Sequence, residues 1–165
     1  MSKLAGRCGI YCGACVIHRI FKDKDLERAK IVAERFNCPP DLVKCNGCQN
    51  PELGDWSFGN NPDGSERCEI QKCLDSKGYD FCYQCPNLTE CDLLRELNGR
   101  YEGVPYHNLK RLKEIRKEAW LEEQESMWKC PECGSPIDFF VENCRKCGAD
   151  LRETRKENIE RIKSF

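Results

Sequence analysis

The chain has 165 residues, a formal net charge of −1, and 33% charged against 39% hydrophobic residues, the latter including 15 cysteines. Near-neutral charge excludes the global basic character of a general nucleic-acid binder, and no run approaches the length of a membrane span. With the cysteines set aside, Leu, Ile, Val and Phe are too few for burial alone to offset chain entropy comfortably, so cross-links must close the gap.

Metal is the expected cross-link. No basic segment followed by an apolar stretch opens the chain, which reads as cytoplasmic with its thiols reduced. The odd cysteine count argues against a closed disulfide set, which would suit only a hyperthermophilic host.

In chain order, residues 1–21 carry CGIYCGAC, with Cys8, Cys12 and Cys15, and then VIHRIF. Over 23–36 the pattern predicts an amphipathic helix with Leu26, Ala29, Val32, Ala33 and Phe36 on one face and Asp23 or Asp25 as its N-cap. Pro39 and Pro40 stop it, and Cys38 beside them reads as a buried apolar residue. CNGC follows, with Cys45 and Cys48. Residues 49–66 have loop composition, and Trp56 and Phe58 are expected to pack back over a metal site.

CEIQKC places Cys68 and Cys73 on one or two helical turns over 68–77, and CYQCPNLTEC adds Cys82, Cys85 and Cys91. A helix is predicted over 91–98, with Leu93, Leu94 and Leu97 apolar. A single long helix is predicted over 106–127, with the stripe Leu109, Leu112, Ile115, Ala119 and Trp120 or Gln124. Glu122, Glu123 and Glu125 crowd its C-terminal end against the helix dipole, so that end is expected to fray. Local basic groups, Lys110 to Lys117 and Arg145 to Lys156, interleave with acids and read as solvated faces. Residues 152–163 are polar, with Ile159 and Ile162 as anchors for a docked helix or a tail.

The strongest motif lies between these last two segments. CPECG and CRKCG, with Cys130, Cys133, Cys144 and Cys147, are two copies of a metal-wrapping knuckle. Gly134 and Gly148 supply a backbone angle that other residues adopt only at a cost. GSPIDFFVEN between them, with Ile137, Phe139, Phe140 and Val141, predicts a β-hairpin covering the metal. Four thiolates match a closed, structural zinc site, with iron as the minority metal. The segment 128–151 resembles a zinc ribbon.

Cys8, Cys12 and Cys15 have the CxxxCxxC spacing of radical S-adenosylmethionine enzymes, but such enzymes need a large (β/α) barrel, and no strand–helix alternation is visible here. A small iron–sulfur site is the alternative at this position. The order of the clusters is itself a pattern: Cys8, Gly9, Cys12 and Cys15; Cys45, Gly47 and Cys48; Cys68, Ile70 and Cys73; Cys82, Cys85 and Cys91. It resembles a cysteine-rich prokaryotic family, domain-of-unknown-function family 3795, over most of residues 5–127. Ile10 stands where that family usually has Leu, and EAWLEEQ from Glu118 is similar to its final helix. The resemblance implies a metal-binding domain and no particular activity, and it makes the ribbon an appendage.

Two tetrahedral sites would use eight of the ten clustered core cysteines. The preferred pairing joins the opening cluster to CNGC, and CEIQKC to the last core cluster. His18 and His107 have weaker claims as ligands. No paired carboxylates, P-loop, GxGxxG or serine elbow is present.

The expectation is a small metal-stabilised protein, mainly α and loop-rich, with a short β zinc-ribbon hairpin at the C-terminus. Its parts are a cysteine-rich metal-binding domain (1–127), the ribbon (128–151) and a polar helical tail (152–165). It would bind about three zinc ions through closed thiolate sites and act as a non-catalytic interaction module. Its partner is expected to be a protein, with nucleic acid weakly supported and no membrane. The alternative is an iron–sulfur or zinc enzyme, or a redox protein, with an open site in the N-terminal cluster.

Overall fold

A computed structural model of the chain describes residues 3–49, 56 and 68–165. Among them lie seven α-helices: α1 (Val16–Lys22), α2 (Leu26–Arg35), α3 (Glu69–Lys77), α4 (Asp92–Arg100), α5 (Val104–Glu114), α6 (Lys117–Met127) and α7 (Arg152–Lys163). Short 3-10 turns at Cys12–Ala14, Pro40–Leu42, Cys82–Gln84 and Leu88–Glu90 join them. No helix of the described residues is long and apolar enough to cross a membrane.

The expected β-hairpin of the ribbon is not formed. The described residues contain no strand, only isolated bridges, of which Lys129↔Pro136 and Asn143↔Asp150 flank the two knuckles. The reason lies in where the backbone donors go. Ile137 donates to Trp128 O at 3.0 Å and Phe139 to Ala14 O at 2.9 Å, near the start of the chain. The N–H of Phe140 turns onto the Asp138 carboxylate at 3.0 Å. The alternation nevertheless sorts faces: Ile137, Phe139 and Val141 are buried and Phe140 is exposed. The segment has a strand's side-chain pattern, but its backbone bonds run to other parts of the chain.

The predicted long helix is also two helices. Ile115 and Arg116 are extended, and α6 folds back along α5. In one straight helix, residues 108 and 124 would stand about 24 Å apart. Here Gln124 Nε2 donates to Asn108 Oδ1 at 3.1 Å and Arg111 grips Glu123 at 2.6 Å. The acidic end of α6 stays helical to Met127 because Glu123 and Glu125 are paired, the latter with Lys129 at 3.3 Å.

Helix α2 begins at Leu26, as the second of the two N-cap candidates requires. Asp25 is its N-cap and accepts from Arg28 N at 3.1 Å, which satisfies an otherwise orphaned amide. Ala29 and Ala33 face inward, but Leu26, placed on the same stripe by sequence, is 73% exposed. Trp56 packs edge-on against Phe36 with ring centroids 5.0 Å apart, beside a cluster that includes Cys15, Cys38 and Cys45. Phe58 lies outside the described residues.

The largest apolar cluster joins the start of the chain to its second half. Ala5, Tyr11 and Ala14 meet Phe81, Tyr101 and Val104, then Trp120, Leu121 and Trp128, and finally Cys130, Phe139, Leu151, Ile159 and Ile162. Helix α7 is docked through its two isoleucines, each worth about 2 kcal/mol when fully buried. Ion pairs hold the ribbon to α2: Arg28 to Asp138 at 2.7 Å and Arg145 to Asp25 at 2.8 Å.

Candidate metal centre

The ribbon knuckles are built by local backbone geometry. Gly134 N donates to Cys130 O at 2.9 Å and Gly148 N to Cys144 O at 2.7 Å, closing two equivalent turns. Both glycines have positive φ, +69° and +78°, and no heavy atom lies within 4 Å of where a Cβ would stand. Glycine is required there by backbone angle, not by crowding. Each turn aims its two sulfur atoms at a common centre. Cys130 and Cys147 Sγ are 3.7 Å apart, and Cys133 and Cys144 Sγ 3.6 Å apart.

These distances fit the implied metal. A tetrahedron of thiolates with Zn–S near 2.3 Å has sulfur–sulfur edges of about 3.8 Å. All four sulfur atoms lie within 4.8 Å of one another. The four thiols do not ionise evenly: against the N–H of Ala149, burial and the hydrogen bonds with Cys133, Cys144 and Cys130 push Cys147 up to about 12, while two of its neighbours are held low. Burial opposes ionisation of Cys144, but Ser135 Oγ and the N–H groups of Cys147 and Lys146 outweigh it and hold that thiol down at about 6. Ser135, through its side chain and then its backbone, lowers Cys133 as well. A divalent ion bound there would be tied by four protein ligands, which leaves no open position for a substrate.

The core cysteines gather in a different way. Cys12 and Cys48 share a hydrogen bond, with Cys12 raised and Cys48 lowered to about 7, helped by the N–H of Arg7 at 3.2 Å from Cys48 Sγ. Cys8, half-buried, is pushed well up, first by loss of solvent and then by the charges of Cys48, Cys68 and Cys82. Cys15, also raised by burial, lies near Cys48. Cys45 Sγ accepts from Gly47 N at 3.3 Å. Burial and then Cys91, Cys73 and Cys85 push Cys82 up to about 12. Buried thiols this close resist joint ionisation, and a bound cation would reverse that.

Of the two histidines, His18 is buried with Nδ1 2.9 Å from Cys45 O, a partnered core position. His107 is half-buried near the start of α5.

Several residues were not singled out by sequence reasoning. Arg7, next to Cys8, ties the opening cluster to Asp75, Tyr79 O and Asp80 O. Lys77, one helical turn after Cys73, brings Nζ to 3.8 Å from Cys85 Sγ. Asn108 donates to Gly9 O at 2.8 Å and accepts from Gln124, whose Oε1 accepts from Trp128 Nε1 at 3.2 Å. The adjacency of Arg7 to Cys8 and the four-residue step from Cys73 to Lys77 were the available signals.

A helical body lined with grouped thiols and ending in a four-cysteine ribbon defines a small cysteine-rich protein of the zinc-ribbon-bearing kind. The model of the zinc-ribbon domain matches residues 126–151. The model of the family described as Protein of unknown function (DUF3795) matches residues 4–96, more than half of the chain, and the chain belongs to this family. No curated protein and no solved structure matches it.

Proposed function

We propose that this is a zinc protein whose closed thiolate sites are structural and whose surface, not its metals, does the work: a non-catalytic interaction module that contacts another protein. The observation that carries the reading is the ribbon quartet, with sulfur atoms 3.6–3.7 Å apart across two glycine-closed knuckles. The lean apolar content agrees with it, since ions would supply cross-links that the core lacks. The core cysteines would hold further zinc, for about three ions in all by ligand count.

Anaerobic purification with metal analysis and an absorption spectrum tests this. Colourless protein with about three zinc ions per chain supports it. A brown protein with acid-labile sulfide overturns it in favour of an iron–sulfur protein. Partner class is tested by salt dependence: protein capture that tolerates salt fits, whereas nucleic-acid binding that collapses with added salt would replace it.

A further inference from the structure

We propose that Cys73, Cys82, Cys85 and Cys91 form one four-thiolate site, distinct from the ribbon, that takes a single zinc ion, and that Cys68, the residue before α3, serves a different site. This rests on the reading of the core as zinc-binding and assigns its ligands.

The four cysteines come from separate elements that converge on one cavity. Cys73 projects from α3. Cys82 opens the 3-10 turn at Cys82–Gln84 and Cys85 follows it, and Cys91 is the residue that enters α4. A cavity of about 30 Å³ is lined by all four. Its remaining wall is mostly apolar, with Leu74 and Leu94 buried behind the sulfur atoms, and it includes no histidine or carboxylate. The donor set is therefore all soft sulfur, which selects zinc among abundant divalent ions over calcium or magnesium. The volume holds one or two water-sized spheres. That is room for one ion once the thiolates close around it.

The charge arrangement agrees. Cys82 interacts with each of Cys91, Cys73 and Cys85. Lys77 lies near both Cys73 and Cys85, and its exposed ammonium offsets part of the −2 charge of a zinc tetrathiolate. Cys68 stands apart because it precedes α3 with a non-helical backbone (φ −132°, ψ 86°), outside the helix that carries Cys73, and it does not line the cavity. Cys68 interacts instead with Cys48 and Cys8. Among the described residues only the ribbon set has three or more ligand atoms within 4.8 Å of one another. The second site must therefore tighten on binding, and its ion should leave before the ribbon's.

The test uses the full-length chain, loaded with zinc and separately with cobalt(II), whose visible bands report tetrathiolate sites. Cys73→Ser and Cys91→Ser should each lower the metal content by one equivalent, and the double variant by the same single equivalent. Cys68→Ser combined with Cys73→Ser should remove two. The assignment is overturned if the Cys73/Cys91 double variant loses two equivalents, if Cys73→Ser keeps the full complement, or if iron and sulfide occupy the site. Wild-type protein with one ion only, lost in Cys130→Ser, would overturn the wider core reading as well. Several ions with Cys73→Ser unaffected would overturn this ligand set alone. Graded chelation of the wild type followed by thiol alkylation and mass mapping avoids any folding defect. Cys73, Cys82, Cys85 and Cys91 should become reactive together and before the ribbon thiols. Cys68 reacting in step with Cys73 while Cys91 stays protected would overturn the assignment.

Discussion

Gln124 donates to Asn108 across the fold-back of α6 on α5, and the bond is the middle of a buried chain. Asn108 continues it to Gly9 O in the opening cysteine motif, and Gln124 to the indole of Trp128, two residues before Cys130. Both amides are fully buried, so each relies on the other for satisfaction. Gln124→Leu should cost about 1–3 kcal/mol by leaving Asn108 and Trp128 short of partners. Adding Asn108→Leu should cost less than the sum of the two single changes, as measured by a double-mutant cycle in urea.

Arg28 offers a sharper test of how the ribbon is attached. Its partner Asp138 is 3% exposed, so removing the guanidinium strands a carboxylate away from water. Arg28→Ala should destabilise the protein by about 3 kcal/mol, well above an exposed pair. A shift in denaturant midpoint below that of an exposed control such as Arg95→Ala would contradict the assignment.

Two glycines with positive φ should respond very differently to alanine. At Gly9 a Cβ would stand 2.2 Å from Pro105 O and 2.8 Å from Leu109 Cγ, at φ +90°. At Gly134 it would meet nothing within 4 Å. Gly134→Ala should cost about 1 kcal/mol from backbone strain alone. Gly9→Ala adds a backbone clash inside the core and should cost about 3 kcal/mol or more. Thermal melts of the two variants compare them directly.

Cys130 belongs to the same apolar cluster as Tyr11, Trp120 and Ile162. Cys130→Ser, or stripping the metal under reducing conditions, should therefore lower protection from hydrogen exchange in α6 and α7 as well as in the ribbon. Loss confined to residues 128–151 would show that the ribbon is energetically separate.

His107 gives stability a pH dependence of known sign. Burial first, then Lys110 and Lys163, hold it below its ordinary value of 6.5, so the fold favours the neutral ring. The unfolded chain takes up the proton first as pH falls. The contribution is intact above pH 6.5 and is lost as pH drops through that value towards the lower folded one. Urea midpoints of wild type and His107→Gln should converge between about pH 7 and pH 5.

How much of this was legible depended on the range of the interactions. The ribbon could be read because knuckle spacing and the glycines after Cys133 and Cys147 are local signals. The hairpin expected between the knuckles was wrong, because the amides of Ile137 and Phe139 bond to Trp128 and Ala14, and no local pattern announces either. The break at Ile115–Arg116 carries no glycine or proline. It follows from the tertiary bonds of Asn108 and Gln124, which override helix propensity. The placing of Cys68 on a helix with Cys73 was right only in part: α3 carries Cys73, and Cys68 stands just before it as the N-cap.

The bond from Phe139 to Ala14 has a consequence for biosynthesis. Arg28 likewise waits for Asp138, 110 residues downstream, and Gly9 for Asn108, 99 residues downstream. A nascent chain emerges from its N-terminus, so the first thiols leave the ribosome long before the segment that encloses them. Synthesis must pass Asp138 and Phe139 before these bonds can close, and until then the opening segment lacks the neighbours that pack against it.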